Sequence, residues 1–157
     1  MTKRITSATE LRQALEIMKK GERLTKVISQ QKHIAGDWNL DHLQDQLIQL
    51  LLVFKQNAVI FINYETNKQP VSLFAGMITE DWACGKLGLN EIAWVTVDKS
   101  QLGGVKVLQA VENLIKELNI DFLSCNYMCN GGDPRVQAFY LNNGFRLDTL
   151  TFVKNYK

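Results

Sequence analysis

The chain has 157 residues, of which 46% are hydrophobic, and its 18 basic and 16 acidic side chains leave a net charge of +2. That length favours a single domain over residues 1–157, and the hydrophobic fraction is that of an ordinary globular core. So even a charge balance argues against nucleic acid or an anionic membrane surface as the main partner, and no segment approaches the ~18 consecutive apolar residues that a membrane-spanning helix needs.

In chain order, the pattern becomes clear from residue 8. Residues 8–20 then read as a helix, with Leu11, Leu15 and Met18 at helical spacing and Gly21 as its stop. The basic residues that gather near the N-terminus, among them Lys3, Arg12, Lys19 and Lys20, read as a solvated helix face. Residues 22–38 are polar and irregular. A second helix is expected from Asn39 or Asp41 to about Phe54, with an apolar stripe of Leu40, Leu43, Leu47, Leu50, Leu51 and Phe54.

The period then changes. Residues 58–64 are β-branched and aromatic, 65–70 read as a hairpin connection, and 71–79 as the return strand. A loop with Asp81, Trp82 and Gly85 precedes a strand from Leu87 to Val97. Gly103 and Gly104 mark the entrance of a third helix, whose buried face is expected to carry Val105, Leu108, Val111, Leu114, Ile115 and Leu118. Residues 121–128 read as a strand, a helix surrounds Tyr140, and 145–155 as a last strand. A late strand–helix–strand unit requires a crossover and a parallel pair, whereas the earlier hairpins are antiparallel. The expected fold class is therefore α/β, a mixed sheet with helices on both faces.

Residues 133–145 are the most sharply punctuated segment. Asp133 can cap a helix, Pro134 suits its first position, and Gly144 suits the left-handed residue that ends it. Tyr140 lies mid-helix. Upstream, the strand ending at Val97 leads into the residues Gln101, Leu102, Gly103, Gly104 and Val105. Helix N-termini expose unpaired amides with partial positive charge, so these residues can cradle a pyrophosphate, with Lys99 or Lys106 adding charge. A plain helix start after a tight glycine turn is the other reading of the same residues.

Three cysteines, Cys84, Cys125 and Cys129, form no disulfide framework. Cys125 and Cys129 are spaced for a metal, but a zinc site needs about four ligands, and His33 and His42 are the only histidines. Reduced structural thiols and no metal are expected. The N-terminal stretch lacks the apolar run of a signal peptide, so a cytoplasmic location is the expectation.

The run Ala138-Phe139-Tyr140-Leu141-Asn142-Asn143-Gly144-Phe145 resembles the C-terminal signature of the Gcn5-related N-acetyltransferases, the GNAT superfamily. The order of elements is similar from about residue 8 to the end. The resemblance implies an acyl-CoA N-acyltransferase fold, a central mixed sheet of about six or seven strands flanked by about four helices. It implies an acetyl-CoA-dependent N-acetyltransferase that moves an acetyl group to a primary amine of a small molecule or protein. Transfer would be direct, in a ternary complex.

In that family the tyrosine lies beside the sulfur of acetyl-CoA, which makes Tyr140 the proton donor to the leaving thiolate. The strand 91–97 (EIAWVTV) resembles that of the histone acetyltransferase branch, where a glutamate at the matching position is the base; this implies Glu91. Strand alternation would put Glu91 on one face with Ala93, Val95 and Val97. As base it predicts that Glu91→Gln lowers the rate most at low pH. Backbone groups of Val95, Thr96 and Val97 would pair with the pantetheine arm as an added strand would. Asn130, or alternatively Asn126, would bond the arm.

The pyrophosphate loop departs from the family pattern. With the following helix aligned, Gly104 takes the last family glycine, Leu102 the first, and Lys99 falls near the family's arginine or glutamine. The segment 22–38, with His33, Asp37 and Trp38, would shape the acceptor site. A homodimer is compatible with this reading. The alternative is a catalytically degenerate GNAT-fold interaction module with weak or no CoA binding.

Overall fold

The computed structural model describes residues 1–20, 39–96, 101–126 and 134–148. They hold, in chain order, β1 (Thr2–Arg4), α1 (Ala8–Lys20), α2 (Leu40–Val53), β2 (Ala58–Tyr64), β3 (Pro70–Glu80), β4 (Leu87–Thr96), α3 (Gln101–Glu117), β5 (Phe122–Ser124) and α4 (Pro134–Asn142). The five strands form one sheet in the order β1-β2-β3-β4-β5. β1 to β4 pair antiparallel, and β4 pairs with β5 in parallel, as a crossover through α3 demands.

Helices cover both faces, and strand alternation decides which residues each face receives. On one face, Ala58, Ile60, Ile62, Leu73, Ala75 and Ala93 pack under α1 and α2. α1 contributes Leu11, Ala14, Leu15 and Met18, the i, i+3, i+4, i+7 stripe of an amphipathic helix. Lys19 links the two helices, reaching Asp41 at 2.6 Å and Glu16 at 3.4 Å. On the other face, Val59, Phe61, Phe74, Ile78 and Leu89 receive Val107, Val111 and Leu114 of α3.

The sequence-based boundaries match closely, and the differences have local causes. Asn39 caps α2 by accepting the His42 amide at 3.0 Å. Phe54 closes that helix as its C-cap and stays 49% exposed, so it leaves the expected stripe, while Ile48 joins the core. Val107 replaces Val105 on the buried face of α3, and Leu118, past the end of the helix, is exposed. Residues 145–148 are not strand; the rest of the expected last strand, and Gly21, lie outside the described residues.

Two glycines permit close approaches that no other residue would. A Cβ on Gly88 would stand 2.2 Å from the ring of Phe122, so the first residue of β5 lies flat over β4 at this point. A Cβ on Gly76 would stand 2.9 Å from the main-chain oxygen of Asn90. Gly76 faces a β-bulge. The β3–β4 register passes from Ala75↔Ala93 to Gly76↔Glu91 and leaves Ile92 without a partner.

Candidate active site

The bulge decides where Glu91 points. An unbroken strand would align Glu91 with Ala93 and Val95, the face under α1 and α2. One extra residue reverses that parity. Ala93 and Val95 do face the first layer, but Glu91 shares the opposite face with Leu87, Leu89 and Trp94, under α3 and α4. The expected grouping of Glu91 with Ala93, Val95 and Val97 is therefore corrected. The signal in the sequence was Gly76, an isolated glycine within a strand pattern.

Three neighbours converge on the carboxylate. β5 ends at Ser124, paired with Asn90, so the chain after it runs beside Glu91. The Asn126 amide donates to Glu91 Oε2 at 3.2 Å, and its side-chain Nδ2 donates to the Glu91 main-chain oxygen at 3.1 Å. The Cys125 side chain lies beside the same carboxylate. From α4, the Tyr140 hydroxyl donates to Oε2 at 3.3 Å.

α4 is built to present that hydroxyl. Pro134 opens it, and Gly144, at φ +82°, ends it, with the Phe145 amide closing onto the Tyr140 oxygen at 3.1 Å. A Cβ on Gly144 would meet nothing within 4 Å, so backbone conformation alone calls for glycine there. Tyr140 is the one buried residue of the helix. Its ring meets Trp94, Phe139 and Phe145 with centroids 5.9, 5.9 and 5.1 Å away, and Trp94 in turn meets Phe74 edge-on. These aromatic contacts leave the phenol little rotational freedom. Sequence reasoning missed Trp94, whose alternation is hidden by the same bulge.

Burial pushes the Glu91 carboxyl up to about 7, against its contacts with Asn126, Cys125 and Tyr140, which favour its charged form. Burial, followed by the charge of Glu91, raises the Cys125 thiol and the Tyr140 phenol above their ordinary values. Both therefore stay protonated at neutral pH. A carboxyl near 7 can accept and return a proton under ordinary conditions. A thiol held protonated is a poor nucleophile.

Beside this cluster the described pairing of β4 with β5 stops. β5 pairs with β4 only over Gly88–Asn90. Among the described residues, β4 from Glu91 to Thr96 has no strand partner on that side. Val95 and Thr96 lie on this stretch; Val97 lies outside the described residues. An open edge of this kind offers main-chain donors and acceptors to an extended ligand arm.

α3 begins at Gln101, so Gly103 and Gly104 stand inside its first turn rather than before it. The amides of Gln101, Leu102 and Gly103 have no acceptor within the helix, whereas Val105, a full turn in, belongs to the helix ladder. A Cβ on Gly104 would meet only Thr96 Oγ1, at the ordinary distance of 3.5 Å. Packing does not demand a glycine there, although glycine costs a helix about 1 kcal/mol relative to alanine. Lys99, Cys129, Asn130 and Asp133, and the acceptor candidates His33, Asp37 and Trp38, lie outside the described residues. Among the described residues no His, Cys, Asp and Glu cluster could hold a metal, Cys84 and Cys125 are free, and no helix is long and apolar enough to cross a membrane.

No protein-family model and no curated protein matches the sequence. Solved structures do. A GNAT family acetyltransferase from Staphylococcus aureus is similar at 13% identity with a TM-score of 0.66, over 99% of this chain and 97% of that one. An aminoglycoside acetyltransferase from an uncultured soil metagenomic sample is similar at 16% identity with a TM-score of 0.68, over 100% and 96%. Glucosamine-6-phosphate N-acetyltransferase from Arabidopsis thaliana is similar at 12% identity with a TM-score of 0.66, over 100% and 99%. With full-length correspondence to these structures, the chain has the fold of the GNAT-family acetyltransferases.

Proposed function

We propose that this protein is an acetyl-CoA-dependent N-acetyltransferase acting on a primary amine by direct transfer. The observation that carries the reading is the pair Glu91–Tyr140, 3.3 Å apart beside the open edge of β4, in a fold shared with acetyltransferases. Aminoglycoside and glucosamine-6-phosphate acetyltransferases among the similar structures favour a polyfunctional or sugar-like amine as acceptor.

Acetyl-CoA, as co-substrate, supplies an activated thioester. Residues of β4 at Val95 and Thr96 would hold its extended arm, and the first-turn amides of α3 at Gln101, Leu102 and Gly103 its pyrophosphate, with Gly104 leaving room. Glu91 takes one proton from the ammonium of the acceptor. The freed nitrogen forms a bond to the thioester carbon, and the carbon–sulfur bond breaks with its electron pair on sulfur. Tyr140 gives its hydroxyl proton to that sulfur.

The hydrogen bond between the two residues couples these steps. Ionised Glu91 engages the Tyr140 hydroxyl; once Glu91 is protonated, that hydroxyl is released to donate elsewhere. The phenolate then recovers a proton from Glu91, and one of the two protons left on the acylated nitrogen leaves to solvent, the other staying as the amide N–H. Burial raises the Cys125 thiol, which disfavours it as an acyl carrier.

The alternative, an interaction module without CoA, is favoured by one observation, Leu102 at the place of the first family glycine. Calorimetry separates the two. Micromolar acetyl-CoA binding that Gly104→Glu abolishes supports the enzyme. Absence of binding at millimolar ligand overturns it.

A further inference from the structure

We infer that Ser72 is a positioning residue for the pyrophosphate cradle, its hydroxyl locking the end of β4 beneath the opening of α3. The inference rests on the acetyl-CoA reading above and deepens it. It starts from a polar row in the sheet. Thr2, Asn63, Ser72 and Thr96 stand opposite one another, in register, across β1, β2, β3 and β4. Phe61, Phe74 and Trp94 pack on the α3 face, and strand alternation puts Asn63, Ser72 and Thr96, two residues on along each strand or back, on that same face. Ser72 is wholly buried and Asn63 is 3% exposed.

Hydrogen bonds run along this row. Ser72 Oγ lies 2.8 Å from Thr96 Oγ1 and donates to the Val95 main-chain oxygen at 3.2 Å. Serine has one hydroxyl proton, so with that proton on Val95 the Thr96 hydroxyl is the donor to Ser72. At the other end, Thr2 Oγ1 donates to Asn63 Oδ1 at 3.1 Å and lies 3.5 Å from the Lys106 main-chain oxygen of α3. A Cβ on Gly104 would have Thr96 Oγ1 as its nearest neighbour, at 3.5 Å. Both ends of the row therefore meet the first turns of α3.

Packing alone does not call for these residue types. The adjoining row on this face is apolar, and α3 seats Val107, Val111 and Leu114 in the same layer. Apolar side chains would continue that layer without the cost of dehydrating hydroxyls. Apolar contact is non-directional, whereas a hydrogen bond fixes distance and angle. Only four residues lie between Thr96 and Gln101, where α3 begins. Holding Thr96 against Ser72 thus limits where the free amides of Gln101, Leu102 and Gly103 can stand. Ser72 itself is buried away from any ligand and acts through Thr96.

The test is calorimetric titration of the full-length protein with CoA and, separately, with pantetheine, which lacks the pyrophosphate. Wild type is compared with Ser72→Ala, Thr96→Val, Thr96→Ser and the double variant Ser72→Ala/Thr96→Val. The Kd for CoA should rise about 10-fold in Ser72→Ala and in Thr96→Val, the worth of about one hydrogen bond. The Kd for pantetheine should stay within about twofold in both, because the arm does not use the cradle. Thr96→Ser keeps the hydroxyl and should bind CoA as wild type does. The double variant removes both partners and leaves no hydroxyl unpaired. It should unfold at the same urea concentration as wild type or a higher one, while binding CoA as weakly as the single variants.

A merely structural role predicts a different pattern: a lower urea midpoint and equal weakening of both ligands. That pattern overturns the inference, as does CoA affinity unchanged in Thr96→Val or reduced equally in Thr96→Ser. Should Ser72→Ala fail to fold, the Thr96 pair carries the test, since valine keeps the shape of a half-buried threonine. Wild-type protein that binds CoA together with variants that bind it equally well sinks the positioning alone. Wild-type protein that binds no CoA at millimolar ligand sinks both the positioning and the acetyl-transfer reading.

Discussion

At the scale of single residues, the environment of Glu91 decides its chemistry. A solvated glutamate is ionised above about pH 5 and a poor base for an ammonium. Burial brings this one to about 7. The wild-type rate should therefore rise as pH passes through about 7, where Glu91 loses its proton. Below that pH the wild-type carboxyl is already neutral, so Glu91→Gln should cost little there. The expectation of a loss greatest at low pH is thus reversed: kcat/KM should fall by about 100-fold near pH 8 and much less near pH 5.5. A constant ratio of the two rates across pH would remove Glu91 as the base. Tyr140→Phe should lower kcat by about 10- to 100-fold, with the acetyl-CoA dissociation constant unchanged within about twofold. It should also move the Glu91 midpoint upward, because it deletes a donor to the charged form. Weakened CoA binding with undiminished kcat would make Tyr140 a packing residue. Both residues were legible as candidates from family-like patterns in the sequence. Their 3.3 Å contact was not, since 49 positions separate them.

Two glycines show at the scale of elements how one residue type serves opposite ends. Gly76 faces the bulge, and a methyl group there would lie 2.9 Å from a main-chain oxygen that cannot easily yield. Gly76→Ala should destabilise the protein by about 1–3 kcal/mol and disturb the orientation of Glu91. Gly104 sits in the first turn of α3 with no close neighbour but Thr96 Oγ1. Gly104→Ala should raise stability by about 0.5–1 kcal/mol, through helix propensity and a less free unfolded chain, while weakening acetyl-CoA binding. Denaturant unfolding and calorimetry read the two effects separately; a variant that is stabilised and binds acetyl-CoA undiminished would show that Gly104 makes no room for ligand. The elements themselves were largely legible. Periodicity located α1, α2, β2, β3 and β4 to within a residue or two, because each is a long segment with one apolar face. α3 was located too, but its start was read about four residues late, since glycines are commoner at helix borders than within a first turn.

At the scale of the whole molecule, a carboxyl near 7 imposes a pH dependence on stability. The folded value lies above the unfolded one, so between about 4.5 and about 7 the native state binds more protons than the unfolded state. Stability falls as pH rises through that window and levels off above it. The loss from this group is about 2 kcal/mol, reduced below the full shift because Glu91 remains partly exposed. Urea unfolding at pH 5 and pH 8 should show it, and Glu91→Gln should flatten the difference; an identical difference in the variant would mean that other groups carry it. The sequence by itself determined the α/β class, the order of the elements up to α4, the parallel pair at the end of the described sheet and the punctuation of α4. These depend on local periodicity, on capping chemistry and on the crossover that a strand–helix–strand unit requires. Tertiary structure alone decided that Glu91 faces Tyr140 rather than the α1–α2 layer, that Asn126 closes on the carboxylate, and that among the described residues the parallel pairing of β4 stops at Asn90. A single unpaired residue reverses the parity of a strand, and its position depends on how closely two backbones can approach, which here turns on the missing side chain of Gly76.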